Sequence, residues 1–172
     1  MKDLYQTILA QLEPLPLPHS KKHLAIRLMQ AYALEQASNC PRNQFGAILI
    51  DPETNTILSD GYNGAPRGGT HLCGGDNICL RTTNGIKSGT HVEIGCHHAE
   101  QNAILNAASN GISTKGAMLL VTGEPCLQCA KTIHHAQIKA VLYIKGGYTT
   151  KKGIDYLERH GVKTYPLGNA TS

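Results

Sequence analysis

A layered α/β domain is the fold class that this sequence predicts. Three observations predict it. Strand-like and helix-like segments alternate through the second half of the chain. A strand, a turn and a return strand precede them at residues 45–59. The 172 residues are enough to bury one core of ordinary domain size. The expected organisation is an N-terminal helical extension over 1–20, one main domain over 21–168 and a tail over 169–172.

Residues 1–13 predict a short helix, and Pro14, Pro16 and Pro18 forbid its continuation. A second helix is predicted over about 20–38, because Leu24, Leu28, Ala31 and Leu34 recur on one face. Asn39-Cys40-Pro41 ends it. Phe45–Ile50 reads as a buried strand, Asp51–Asn55 as a turn, and Thr56–Ser59 as the return strand of a hairpin. Residues 61–97 are rich in Gly, Cys, His, Thr and Asn and show no clear period. So long a stretch is functional or cross-linked in a compact domain. The pattern then turns helical from His98 until Gly111. Ala117–Val121 predicts a strand. A helix is expected from Pro125 to about Ala136, since proline suits a first turn. Val141–Ile144 predicts a strand, 150–160 a helix and Val162–Tyr165 a last strand.

Composition narrows the function. Apolar residues make up 41%, charged residues 16%, and the formal net charge is +4, as suits a globular protein. Seven Tyr, one Phe and no Trp are too few rings for a nonspecific single-strand binder. Basic residues are scattered apart from Lys21-Lys22 and Lys151-Lys152, so an extended nucleic-acid surface is not expected. A mild positive charge still attracts a small phosphorylated ligand. The N-terminus lacks the basic cluster and apolar core of a signal peptide. No run of about eighteen apolar residues is present to span a membrane. A cytoplasmic location is therefore expected. The six cysteines should be reduced there, which favours metal ligation over disulfides.

Two short segments carry chemistry: Cys96-His97-His98-Ala99-Glu100 and Pro125-Cys126-Leu127-Gln128-Cys129. Cys126 and Cys129 are three apart at a helix start, which puts both sulfurs on one side of the first turn. The amides there stabilise thiolates. His98 opens another helix and supplies a third ligand. Two thiolates and one imidazole suit Zn²⁺ and leave a fourth position for water, as a catalytic site requires. Glu100 follows His98 by two residues, so it reaches the same site without being a ligand. A carboxylate there can take a proton from an activated water and pass it to a substrate. A lone CxxC also reads as a redox pair or half a structural zinc site, and a lone HxE is common by chance. HxE and PCxxC together match the known signature of zinc deaminases. The register selects His98 over His97, which is expected to pack or support.

With these residues in view, the sequence resembles the cytidine and deoxycytidylate deaminase superfamily, and most closely its deoxycytidylate deaminases. The similarity spans roughly residues 22–166. It rests on Cys40-Pro41-Arg42 leading into Phe45-Gly46-Ala47, on Gly61-Tyr62-Asn63-Gly64-Ala65-Pro66-Arg67-Gly68, on His98-Ala99-Glu100-Gln101-Asn102-Ala103 and on Pro125-Cys126-Leu127-Gln128-Cys129-Ala130-Lys131. The GYNGAPRG segment is the one that points to deoxycytidylate; its first four residues alone read as a tight turn. The resemblance implies a three-layer α/β/α fold with a central five-stranded mixed sheet and a zinc ion on two helix N-termini. It implies that Asn63 binds the sugar and that Phe45 and Ala99 bound the base pocket. It also implies that the Gly64–Gly68 loop lies near a nucleotide phosphate, where backbone amides and Arg67 serve as donors. Tyr148 and Lys151 are alternative phosphate contacts. Relatives of this kind form homo-oligomers, often hexamers, and respond to dCTP and dTTP. An effector nucleotide with Mg²⁺ is the corresponding expectation here.

Cys40, Cys73, Cys79 and Cys96 lie outside the catalytic motif, the last three of them in the aperiodic stretch. Some deoxycytidylate deaminases carry a second, structural zinc in this region, so these four are its candidate ligands, with His71 or His91 as substitutes. Leu72 separates His71 from Cys73 here, where the family often has histidine followed directly by cysteine. Small buried cysteines are the alternative.

The implied reaction is dCMP plus water giving dUMP plus ammonia, a step that supplies dUMP for dTMP synthesis. The residues warrant metal-assisted hydrolysis; the base comes from the resemblance. A tRNA adenosine deaminase shares HAE and PCxxC but needs an RNA surface that thin basic content does not provide. Cytidine, dCTP or a modified dCMP are closer rivals. A non-catalytic zinc assembly module has no use for Glu100.

Overall fold

The computed structural model describes residues 2–17, 20–65, 78–87, 90, 94–146 and 152–170. The five-stranded sheet has the order β2-β1-β3-β4-β5. Its strands are β1 (Gly46–Ile50), β2 (Ile57–Tyr62), β3 (Met118–Val121), β4 (Ala140–Ile144) and β5 (Lys163–Leu167). β1 runs antiparallel to both β2 and β3, while β3, β4 and β5 are parallel, so the sheet is mixed. Parallel neighbours need crossovers. Here α5 (Leu127–His135) joins β3 to β4, and α6 (Lys152–Arg159) lies between β4 and β5.

β1 is buried along its whole length, and so is β3, as a strand covered on both faces must be. Alternation sorts the side chains to two cores. Ala47, Leu49, Leu119, Val121, Val141 and Tyr143 face one side, with residues of α4 (Ala99–Ser109), α5 and α6. Ile48, Ile50, Met118, Leu120, Leu142 and Ile144 face the other, with α1 (Lys2–Leu12) and α2 (Lys21–Glu35). Three layers result, as the resemblance implied. Ile8 and Leu12 of α1 are fully buried in the second core.

Three local departures from the sequence expectation have physical reasons. β2 runs on to Tyr62, into the stretch that lacks a period, because Gly61 pairs with Ala47 and Tyr62 with Gly46. Its burial is only partial, so an edge strand like this prints a weak pattern. α5 begins at Leu127, since Cys126 at φ −70° and ψ 167° is its N-cap and Pro125 precedes the helix. A short helix, α3 (Leu80–Thr83), lies within the aperiodic stretch; four residues are too few to show a period. The hairpin turn is as expected. Asp51 Oδ1 accepts from the N–H groups of Glu53 (2.7 Å) and Thr54 (3.2 Å), and Asn55 takes a positive φ of 60°.

Candidate metal centre and active site

The ends of α4 and α5 build the site. His98 is the N-cap of α4, with an extended backbone at φ −77° and ψ 158°. Its N–H donates to Gln101 Oε1 at 3.0 Å, which fixes the entry to the helix. Cys126 caps α5, and its sulfur accepts from the Cys129 N–H at 3.4 Å. β1 and β3 pair side by side, so the segments after β3 and before α4 meet at one edge of the first core. His98 Nδ1 lies 3.5 Å from Cys126 Sγ and 3.3 Å from Cys129 Sγ. All three ligand atoms fall within 4.8 Å of one another.

The electrostatics suit a metal. The hydrogen bond from Cys129, helped by His98, holds the Cys126 thiol down to about 3. The same bond and burial push Cys129 well up. The bond to Cys126 raises His98 against the opposing effect of burial. Cys126 is thus the thiolate of the pair, and a bound cation would displace the proton that Cys129 holds. Two sulfurs and one nitrogen are a fitting donor set for Zn²⁺.

Glu100 is 5% exposed. Burial raises its carboxyl above the ordinary range, while the His98 imidazole pulls it back. It contacts the Cys129 sulfur by a side-chain hydrogen bond. A buried carboxyl beside three metal-type ligands is placed for proton transfer.

The loop with the GYNG residues is tied to this site. Gly64 N–H donates to His97 O at 3.1 Å, and His97 N–H returns a bond to Gly64 O at 2.9 Å. His97 Nδ1 donates to Asn102 Oδ1 at 3.1 Å, and Asn102 Nδ2 donates to Tyr62 O at 2.7 Å. His97 therefore takes the supporting place beside His98. Gly61 lies within β2, and packing is what calls for glycine there. A Cβ there would stand 2.3 Å from Ala103 N and 2.7 Å from Ala99 O, so α4 crosses β2 directly on it.

Asn63 and Ala99 are buried, and Phe45 packs half-buried against the core that holds Ala99, Cys126 and Cys129. Asn63 Oδ1 accepts from Phe45 N–H at 2.7 Å, and its Nδ2 donates to Asn43 O at 2.8 Å. Among the described residues, one lone pair and one N–H of that amide are left for a ligand. Among the other expected site residues, Cys40 and Cys96 come together. The hydrogen bond from Cys96 holds the Cys40 thiol down to about 5, against burial. Cys79 is contacted by Arg42. Among the described residues, Cys40, Cys79 and Cys96 do not form a second group of three ligand atoms within 4.8 Å. Cys40, Cys79, Cys96, Cys126 and Cys129 are thiols rather than disulfides. Arg67, His71, Cys73, His91, Tyr148 and Lys151 lie outside the described residues. Among the described residues, no helix is long and apolar enough to cross a membrane. Sequence reasoning missed Ser38, whose buried hydroxyl donates to Asn63 O at 2.6 Å. A lone serine two residues before a cysteine carries no signal of that contact.

A family model for the cytidine and deoxycytidylate deaminase zinc-binding region matches residues 20–145. The chain is 34% identical over 140 residues to ComE operon protein 2 of Bacillus subtilis, covering 78% of this chain and 66% of that protein. It is 38% identical over 118 residues to deoxycytidylate deaminase of Homo sapiens, covering 69% and 62%. The chain thus spans 62% to 66% of the length of these two relatives. Among solved structures, it is similar to the dCMP deaminase of cyanophage S-TIM5 in complex with dCMP and dUMP. The TM-score is 0.66 at 31% identity, covering 83% of this chain and 94% of that one. By sequence and fold, the chain belongs to the cytidine and deoxycytidylate deaminase family.

Proposed function

We propose that this chain is a zinc-dependent hydrolytic deaminase that converts dCMP and water to dUMP and ammonia. The observation that carries this reading is the buried Glu100 carboxyl beside the His98, Cys126 and Cys129 cluster. The likeness to proteins named for deoxycytidylate, one of them solved with dCMP and dUMP, supports the choice of base and phosphate.

His98, Cys126 and Cys129 hold the metal. A zinc ion bound there supplies Lewis-acid activation of the water that adds to the base. Glu100 takes one proton from the attacking water and delivers it to N3 of the ring, then carries the remaining hydroxyl proton to the amino nitrogen, which leaves as ammonia while the C4 carbonyl forms. Phe45 and Ala99 bound the base, and Asn63 offers its remaining N–H and lone pair to the sugar. Arg67 and the amides of its loop hold the phosphate, with Tyr148 as a further contact.

Effector control by dCTP and dTTP, with Mg²⁺, belongs to the same reading. The paired bonds between Gly64 and His97 give the loop a mechanical link to the residue beside His98. Assembly into a homo-oligomer, a hexamer in the fullest form, is part of the same reading and rests on the likeness to deoxycytidylate deaminases. Five thiols without disulfides accord with a cytoplasmic location.

A second, structural zinc is held by Cys40, Cys73, Cys79 and Cys96, with His71 or His91 as a substitute. The contact between Cys40 and Cys96 supports it. Metal removal tests both sites. Chelation should abolish ammonia release from dCMP, zinc should restore it, and elemental analysis should give two zinc ions per chain. Activity that survives complete zinc removal contradicts the function. One zinc per chain, with Cys40 and Cys96 freely reactive, contradicts the second site alone.

A further inference from the structure

Phe45 is clamped by its backbone on both sides. Its N–H donates to Asn63 Oδ1 at 2.7 Å, and its carbonyl accepts from Asn63 N–H at 3.1 Å. Asn63 is itself fixed, because Ser38 Oγ donates to its carbonyl at 2.6 Å. Gln44 Nε2 closes the loop onto Ser38 O at 2.5 Å. On the other side, Gly46 N–H donates to Thr122 Oγ1 and Thr122 N–H donates to Gly46 O, both at 3.0 Å. Ser38, Asn63 and Thr122 are all buried. With the backbone held this way, only the Phe45 ring can move.

The ring lies directly on Gly123. A Cβ at that position would stand 2.7 Å from both Cδ1 and Cε1 of Phe45. Gly123 does not adopt a left-handed φ, so space rather than backbone conformation calls for glycine. It precedes Cys126 by three residues, and Phe45 packs on the core that contains Ala99, Cys126 and Cys129. The ring is therefore a wall between β1 and the loop that leads to Cys126, and with the backbone held, the missing side chain at 123 lets it stand this close.

We infer that Gly123 determines base specificity: the bare Cα lets the Phe45 ring lie back, and this sets the width of the slot that takes a planar pyrimidine. The inference rests on the proposed reading of Phe45 as a base-pocket residue. A methyl group at 123 forces the ring out by about 1 Å to regain ordinary carbon contact. Displacements of that size near reacting groups cost up to about a hundredfold.

The test is a double-mutant cycle on the zinc-loaded protein with Gly123→Ala, Phe45→Leu and the double variant. Gly123→Ala should lower kcat/KM for dCMP about tenfold, chiefly through KM, with zinc content unchanged. It should also change the ratio of kcat/KM for 5-methyl-dCMP to that for dCMP. Leucine at 45 makes room for the methyl, so the double variant should recover, with a coupling of roughly fivefold or more. Additive effects overturn the inference. So does coupling confined to thermal stability, which reports packing alone. Where Gly123→Ala does not fold, Phe45→Leu and the double variant are compared; an unchanged 5-methyl-dCMP to dCMP ratio overturns the inference. Calorimetric binding of dUMP to the same proteins separates this inference from the proposed function. If the unmodified protein deaminates no cytosine nucleotide, the function fails. Coupling in the Kd for dUMP then still supports Gly123, and additivity or no binding overturns it.

Discussion

Replacing Glu100 with Gln should abolish turnover and leave the metal in place. The side chain is 5% exposed and sits in the first turn of α4, two residues after the proposed ligand His98. Gln has the same shape, so the packing survives. The amide cannot accept and return a proton, so the general acid–base contribution is lost. That contribution is worth about 10²–10⁴ in rate. In the proposed mechanism one group serves both the water and the ring nitrogen, so a loss of about a thousandfold or more in kcat is expected. Removing a buried charge costs the fold nothing in desolvation. Zinc content, unfolding midpoint and ammonia release measured on the same preparation check this. Loss of one zinc per chain makes Glu100 a ligand. A variant that keeps more than a few per cent of the rate removes Glu100 from the chemistry.

Gly153→Ala should destabilise the protein, although helix propensity alone predicts the opposite. In an open helix the change gains up to about 1 kcal/mol. In α6 the added Cβ would stand 2.1 Å from Pro125 O and 2.9 Å from the Cys126 carbonyl carbon. Both are backbone atoms and cannot rotate away, so α6 must lift off the loop that presents Cys126. Overpacking of this kind costs about 1–3 kcal/mol, and more where backbone has to move. A net loss of about 3 kcal/mol, with weaker zinc retention, is the expected result in urea unfolding. A stability equal to or above that of the unmodified protein refutes the close approach of α6 to Pro125.

Gly153 also shows where sequence reading stops. The residues His98, Cys126 and Cys129 were legible because each local motif carries its own helix start, and the donor types name the metal. β1, β3 and β4 were legible as strands for a different reason, since burial on two faces leaves a continuous apolar run. The layering followed from the order of elements. Gly61, Gly123 and Gly153 were not legible as packing residues. Each is defined by an atom far away in the chain: Ala103 N for Gly61, the Phe45 ring for Gly123 and Pro125 O for Gly153. Ser38 is the same case, since its partner Asn63 is 25 residues on. The end of β2 was lost in a stretch dense with glycine, where an edge strand has little apolar pattern to show.

Whether the substrate is the nucleotide dCMP is decided by a panel of initial rates. Ammonia release is compared for dCMP, deoxycytidine, cytidine, dCTP and a tRNA anticodon stem-loop, with dUMP identified as the product from dCMP. A site that pairs a phosphate with Arg67 and loop amides leaves those donors unsatisfied when the phosphate is missing. Charge-assisted hydrogen bonds are worth roughly 1.5–3 kcal/mol each. Losing two lowers kcat/KM by about a hundredfold or more. The expected result is that dCMP exceeds deoxycytidine by at least that factor and that the stem-loop is inert. Equal rates for deoxycytidine and dCMP, or activity confined to the stem-loop, contradict a dCMP deaminase.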